Sequence, residues 1–322
     1  MNGKFVLYSI AGCAALMVLL SGCGGAGNAD PQTLYTEGIE LLKGDNPTQA
    51  ISLLTQAAEA GHAEAMMELS TCYNYGTGVA ADQEMAFSWI KKAADSGSRK
   101  AKAYIAIFYL QGIGTVPSPD TAIQLLDAES TAGNMDAVAL LANLYEIGVG
   151  VPKNETKAFQ MHQRLANQGV KDSMYYVGKC YSKGLAGLQK NEQLGADWYR
   201  KASAAGSIAA TGKLGACYIK GQGVPRDEVQ GITLIQKAVE GGDPDSMHNL
   251  GVCFERGLGV PLDMSQAVYY YRMGANAGCA EAMHNLSICL ASGKGVAANP
   301  AEAAMWKAKS TEAGTPLRGS EK

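Results

Sequence analysis

Thiols, imidazoles and one hydroxyl–amine pair are the side chains here whose type and spacing could do chemistry. Cys72, Cys180, Cys217, Cys253 and Cys289 recur at one station of a long repeat, and Phe108 and Leu144 hold that station in other copies. Exchange with Phe and Leu marks the station as buried and apolar, and cysteine packs there as a small hydrophobe. Stations on neighbouring helices lie about 8–10 Å apart, whereas a disulfide needs Cα atoms within about 7 Å. Buried free thiols are therefore expected, and Cys279 stands between units without an evident partner. Besides His62 and His162, His248 and His284 share a station, inside Met247-His248-Asn249-Leu250 and Met283-His284-Asn285-Leu286. A zinc ion asks for a tetrahedral ligand set, and no column of carboxylates or thiols completes one around them. The pair predicts an exposed recognition face, with no metal and no cofactor. Ser88-Trp89-Ile90-Lys91 has the Ser-x-x-Lys spacing of a lysine-activated serine nucleophile, but the supporting Ser-Asp-Asn and Lys-Thr-Gly do not occur in the chain. Neither do a Walker loop, Gly-x-Ser-x-Gly or His-Glu-x-x-His. No catalysis is expected.

The elements that hold these groups follow from composition and period. The chain has 322 residues, 47% of them hydrophobic, which supplies a sizeable core and excludes global disorder. Its formal charge is −3 without a long run of either sign, so nucleic acid is not an expected partner. Glycine stands at about 12% against a usual level of about 7%, and the excess is periodic. Gly61, Gly97, Gly133, Gly169, Gly206, Gly242, Gly278 and Gly314 are spaced by 36, with a single 37 between Gly169 and Gly206. A second series runs Gly76-Thr77-Gly78, Gly112-Ile113-Gly114, Gly148-Val149-Gly150, Gly221-Gln222-Gly223, Gly257-Leu258-Gly259 and Gly293-Lys294-Gly295. Its fourth copy, Gly184-Leu185-Ala186-Gly187, holds the extra residue, as a loop tolerates.

Each unit reads as two helices. The first carries apolar residues at helical spacing, Ala65, Leu69, Cys72 and Tyr73 in one copy and Ala282, Leu286, Cys289 and Leu290 in another. Gly-x-Gly stops it, since glycine takes positive φ without steric cost. The second helix starts at a column of N-cap residues: Asn46, Asp82, Ser118, Asn154, Asn191, Asp227, Asp263 and Asn299. Proline or an acid commonly follows, as suits the first helical position. Four residues past the cap the column is small (Ala50, Ala86, Ala122, Ala158, Gly195, Gly231, Ala267, Ala303), which lets helices approach closely. A bulky column follows at Leu53, Trp89, Leu125, Met161, Trp198, Leu234, Tyr270 and Trp306.

Leu250-Gly251-x-x-Phe254-x-x-Gly257-x-Gly259-Val260-x-x-Asp263, then Ala267-x-x-Tyr270, resembles the Sel-one-like repeat, a relative of the tetratricopeptide repeat. Tetratricopeptide units have a period of about 34, so the longer unit fits better. The resemblance implies an all-α fold, a right-handed solenoid of helix-turn-helix units with period 36. It divides the chain into a half repeat over 34–62, seven repeats over 63–315 and a tail over 316–322. Copies two and four depart most from the loop pattern, at Val116-Pro117-Ser118-Pro119 and Gly184-Leu185-Ala186-Gly187, where altered local stacking is expected.

The first residues form an address. Lys4 precedes an apolar stretch that ends Leu20-Ser21-Gly22-Cys23, which resembles the lipobox of bacterial lipoproteins. The stretch lacks the flanking charge and the roughly twenty apolar residues of a spanning helix. The resemblance implies a signal peptide over 1–22, acylation of Cys23, and a flexible tether over 23–33. Loss of Lys4 would take the net charge to −4. Gly24 stands where an aspartate would favour inner-membrane retention, so the implied place is the cell envelope, in the outer membrane facing the periplasm.

In tetratricopeptide-like solenoids the first helices line the concave face. There Tyr104, Tyr175, Tyr176, Lys179, Lys213, His248, Asn249, Arg256, His284 and Asn285 are the candidate partner-binding residues, densest in units four to seven. Aromatic, basic and amide groups of this kind anchor protein interfaces. The expected function is a membrane-anchored scaffold that binds a protein or peptide partner. The alternatives are a cell-wall or β-lactam-related hydrolase, as parts of the resembled family have been labelled, and a peptidoglycan-binding module.

Overall fold

The computed structural model describes residues 30–44 and 46–314. Residues 1–22, Cys23, most of the expected tether and the 316–322 tail lie outside the described residues. Within them are sixteen α-helices of thirteen residues each and no strand. The odd ones are α1 (Pro31–Lys43), α3 (Ala63–Tyr75), α5 (Arg99–Gln111), α7 (Met135–Ile147), α9 (Lys171–Lys183), α11 (Ile208–Lys220), α13 (Pro244–Arg256) and α15 (Ala280–Ser292). The even ones are α2 (Pro47–Glu59), α4 (Gln83–Asp95), α6 (Pro119–Thr131), α8 (Glu155–Asn167), α10 (Glu192–Ala204), α12 (Glu228–Glu240), α14 (Met264–Asn276) and α16 (Pro300–Glu312). No helix among the described residues is long and apolar enough to cross a membrane.

Each helix packs on the next in the chain, which makes the molecule an all-α solenoid of helix pairs. Odd helices also meet the next odd helix directly, α5 with α7, α11 with α13 and α13 with α15. In place of one central core, small apolar clusters follow one another along the array.

The segment 34–62, expected as a half unit, is a complete helix pair. Helix α1 begins at Pro31, and Asp30 caps it by accepting from Thr33 N at 3.3 Å, so the last residues of the expected tether are already helical. The Asp-Pro start signal was masked by the glycine-rich stretch that precedes it.

All eight expected caps stand at the starts of even helices. Seven accept a backbone N–H from the third helical residue. The exception is Ser118, whose hydroxyl lies 2.7 Å from that of Thr121 instead. The small column behind the caps is buried throughout, as close helix approach requires. The bulky column is only half-buried, apart from Trp89 and Trp306. The core proper is the next residue in each copy: Leu54, Ile90, Leu126, His162, Tyr199, Ile235 and Tyr271, all buried. Neighbouring positions share a broad apolar stripe on a helix, so the sequence alone leaves a one-residue ambiguity. In the last copy that position is Lys307, which is exposed and closes the array with a polar surface.

The two glycines of each elbow do different work. The first, such as Gly221 at φ +67°, caps the odd helix in the left-handed region. The second allows units to touch: a Cβ on Gly223 would overlap the Glu192 carbonyl at the start of α10 in the preceding unit. In the fourth copy Ala186 takes the left-handed backbone at φ +58°, and its carbonyl accepts from Thr156 Oγ1 at 3.3 Å.

Candidate functional site

Helices α9, α11, α13 and α15 run side by side, and two hollows lie along them. One, of about 800 Å³, is bounded by α11, α13, α15 and the loops after α11 and α13; the other, of about 680 Å³, by α9, α11 and their flanks. Ala216, Lys220, Asn249 and Glu281 line both, which makes the two a single trough. Tyr175, Lys179, Lys213, His248, Asn249, Arg256, His284 and Asn285 all face it. Tyr104 and Tyr176 do not. Tyr104 sits on α5, two units away, among the apolar residues between α4 and α7, with Lys100 Nζ 6.0 Å from its ring centroid. Tyr176 turns to the other side of α9 and stacks on buried His162 at 4.0 Å.

Charge in the trough is uneven. Lys190 pairs with Glu192 at 2.7 Å and Lys213 with Asp245 at 3.0 Å, while Arg226 is held by Glu228. Lys179, Lys183, Lys220 and Arg256 have no carboxylate within 4.0 Å among the described residues. Burial alone would lower the Lys213 pKa, but Asp245 and the nearby Tyr175 hydroxyl outweigh it and raise it.

His248, expected on an exposed face, is half-buried, and burial lowers its pKa against the opposing pull of Glu281 and Asp245. Asn285 Nδ2 donates to His248 Nε2 at 3.1 Å, which leaves that nitrogen as an acceptor and the ring neutral. Beneath it lies Tyr271, 5.9 Å between centroids, whose hydroxyl donates to Glu255 at 2.5 Å. These rings and amides hold one another and form one wall of the trough.

Acidic and thiol groups do gather beside His248, contrary to the expectation from sequence. Cys279 is the N-cap of α15 and 5% exposed, with Sγ 3.9 Å from Asp245 Oδ1 and 3.6 Å from Glu281 Oε2. Burial pushes its thiol up to about 11. The acids escaped notice because each stands in the first turn of a helix, where dipole stabilisation already accounts for it. Asp245 is engaged by Lys213, which supplies the positive charge at this spot.

The other thiols among the described residues are free and buried, and Cys72, Cys180 and Cys253 are pushed up to about 11 by burial, which makes them poor nucleophiles. Ser88 and Lys91 lie on α4, and Lys91 Nζ donates to Asp95 Oδ2 at 2.9 Å. That bond raises the lysine pKa, the opposite of what a general base needs.

Comparison with known proteins agrees with this architecture. The Sel1 repeat model matches residues 33–62, 63–98, 100–128, 136–170, 171–207, 208–243, 244–279 and 280–314. The crystal structure of a protective antigen present in uropathogenic Escherichia coli strains, displaying an SLR fold, is similar at 28% identity and a TM-score of 0.68. The match covers 89% of this chain and 62% of that one, so the chain spans less than two thirds of the relative's length. A Sel1 repeat protein from Oxalobacter formigenes has 24% identity and a TM-score of 0.67, over 90% of this chain and 85% of the other, a likeness of fold. No curated protein matches the chain. With eight tandem matches that tile the helix pairs, the chain belongs to the Sel1 repeat family.

Proposed function

We propose that this protein is a non-catalytic scaffold, anchored to a membrane through acylated Cys23, that holds a protein or peptide partner on the concave side of its solenoid. A Sel1 repeat solenoid is a fold consistent with protein–protein interaction. The observation that carries the reading is the trough: eight of the ten residues chosen from sequence for recognition chemistry line one continuous depression. Direct contact of α11 with α13 and of α13 with α15 supports a concave side there. Its walls combine aromatic, amide and cationic groups, the composition of interface anchors. The lipid would fix where the array acts, in the outer membrane facing the periplasm, and the glycine-rich segment after Cys23 would give it reach. The Ser88–Lys91 pair lends the hydrolase reading no support, since the bond to Asp95 raises the Lys91 pKa.

The test is a crosslinking pull-down from membranes with the intact protein beside a Tyr175→Ala, His248→Ala, His284→Ala variant that retains its helical circular dichroism. Loss of a specific partner from the variant is expected. An identical partner list for both proteins would move the site to another face, and co-sedimentation of the intact protein with purified sacculi alone would favour the peptidoglycan reading.

A further inference from the structure

We propose that the trough selects an extended acidic peptide segment of its partner, with carboxylates three residues apart; this rests on the trough being the partner site. The last residue of α9 is Lys183, of α11 Lys220 and of α13 Arg256. On α3, α5, α7 and α15 the same station holds Tyr75, Gln111, Ile147 and Ser292, and on α1 it holds Lys43, which is paired with Glu40 at 3.2 Å. A helix C-terminus favours a cation through its dipole, but that preference acts equally on every odd helix. It does not by itself place three unpaired cations on the three adjacent helices whose ends line the trough. All three side chains are exposed and unmatched by a carboxylate among the described residues. The chain as a whole is acidic, at −3, while the trough carries seven cations against three carboxylates. An anion is therefore drawn to this strip and repelled elsewhere.

Spacing sets the ligand's form. Packed helices stand about 8–10 Å apart, and α11 meets α13 directly. A polyproline-II chain rises about 3.1 Å per residue with three residues per turn, and so presents every third side chain on one face at about 9 Å. Three cations in a row thus meet acids at one position, three later and six later. Ala216, Ile219, Val252 and Leu258 form the wall around the cations, and such apolar surface rewards peptide side chains rather than a bare polyanion. Asn249, shared by both hollows, offers a donor and an acceptor to a peptide backbone.

The experiment pans a displayed library of random nonapeptides against the full chain in detergent, then measures the enriched peptides by fluorescence anisotropy. Acids at every third position are expected, with binding weakened at least tenfold by combined Lys183→Gln, Lys220→Gln and Arg256→Gln and by raising salt from 50 to 500 mM. Enriched peptides without that acidic pattern, lost on Tyr175→Ala and His248→Ala but indifferent to the three Gln changes, would overturn the acidic assignment and leave the trough standing. Equal displacement by tripolyphosphate would make the row a general anion site and overturn the peptide claim. Failure to enrich any peptide sensitive to either variant would remove both the trough reading and the inference.

Discussion

His248 shows how far a single residue could be understood before its surroundings were known. Its recurrence at the station of His284 was visible in sequence; its neutral state was not, because that depends on Asn285, thirty-seven residues away. Asp245, three residues earlier on α13, is a neighbour that helical spacing alone implies, whereas Glu281 comes in from the start of α15 and only the fold shows it. The lowered pKa has a thermodynamic consequence. Between the folded value and about 6.5 the unfolded chain binds a proton that the folded one refuses, so stability rises with pH and is lost as pH falls. The thermal midpoint should therefore decline below about pH 6.5, and less steeply in His248→Gln. Parallel midpoint–pH curves for the two proteins would contradict this account of the site.

At the scale of elements the sequence was most readable, because caps and glycines act locally. Asp227 accepts from Gln230 N at 2.9 Å, so Asp227→Ala should cost about 1 kcal/mol. Ser118→Ala should cost clearly less, for its hydroxyl makes no backbone cap bond. Urea midpoints compare the pair. The elbow glycines hid a division of labour, since the second contacts a unit more than thirty residues distant. At Gly206, φ is +84° and an added Cβ meets nothing within 4 Å, so Gly206→Ala should cost about 1–2 kcal/mol for backbone alone. Gly223→Ala adds overlap with the Glu192 carbonyl and should cost about 2–5 kcal/mol. Equal losses would mean that the units do not press together at the elbow. The core column lies one residue beyond the bulky column because apolar stripes on a helix are wide: Trp198 and Tyr199 are adjacent aromatics, and only packing shows that Tyr199 is the buried one.

For the whole molecule, a period of 36 sufficed to anticipate the solenoid, since each pair must bury its apolar faces on its neighbours. What the period could not reveal was the trough. Its depth depends on small residues such as Ala216 at stations where other copies carry Val252 or Ile288, and on loop groups, Lys190 and Arg226, that reach in from the flanks. Membrane attachment belongs to this scale too. Cys23→Ser should shift the protein from the membrane to the soluble fraction and abolish fatty-acid labelling, with the helical signal unchanged. Retention of label and of membrane association would remove the lipid anchor from the account.

The most direct measurement places a photo-crosslinking side chain at one position at a time in otherwise intact protein. Asn249 lies in both hollows of the trough, and Val229, 75% exposed on α12, lies outside them. Irradiation in membranes should join Asn249, and not Val229, to one discrete partner. Capture from Val229 with none from Asn249 would contradict the central claim that the odd-helix trough is where this solenoid meets its partner.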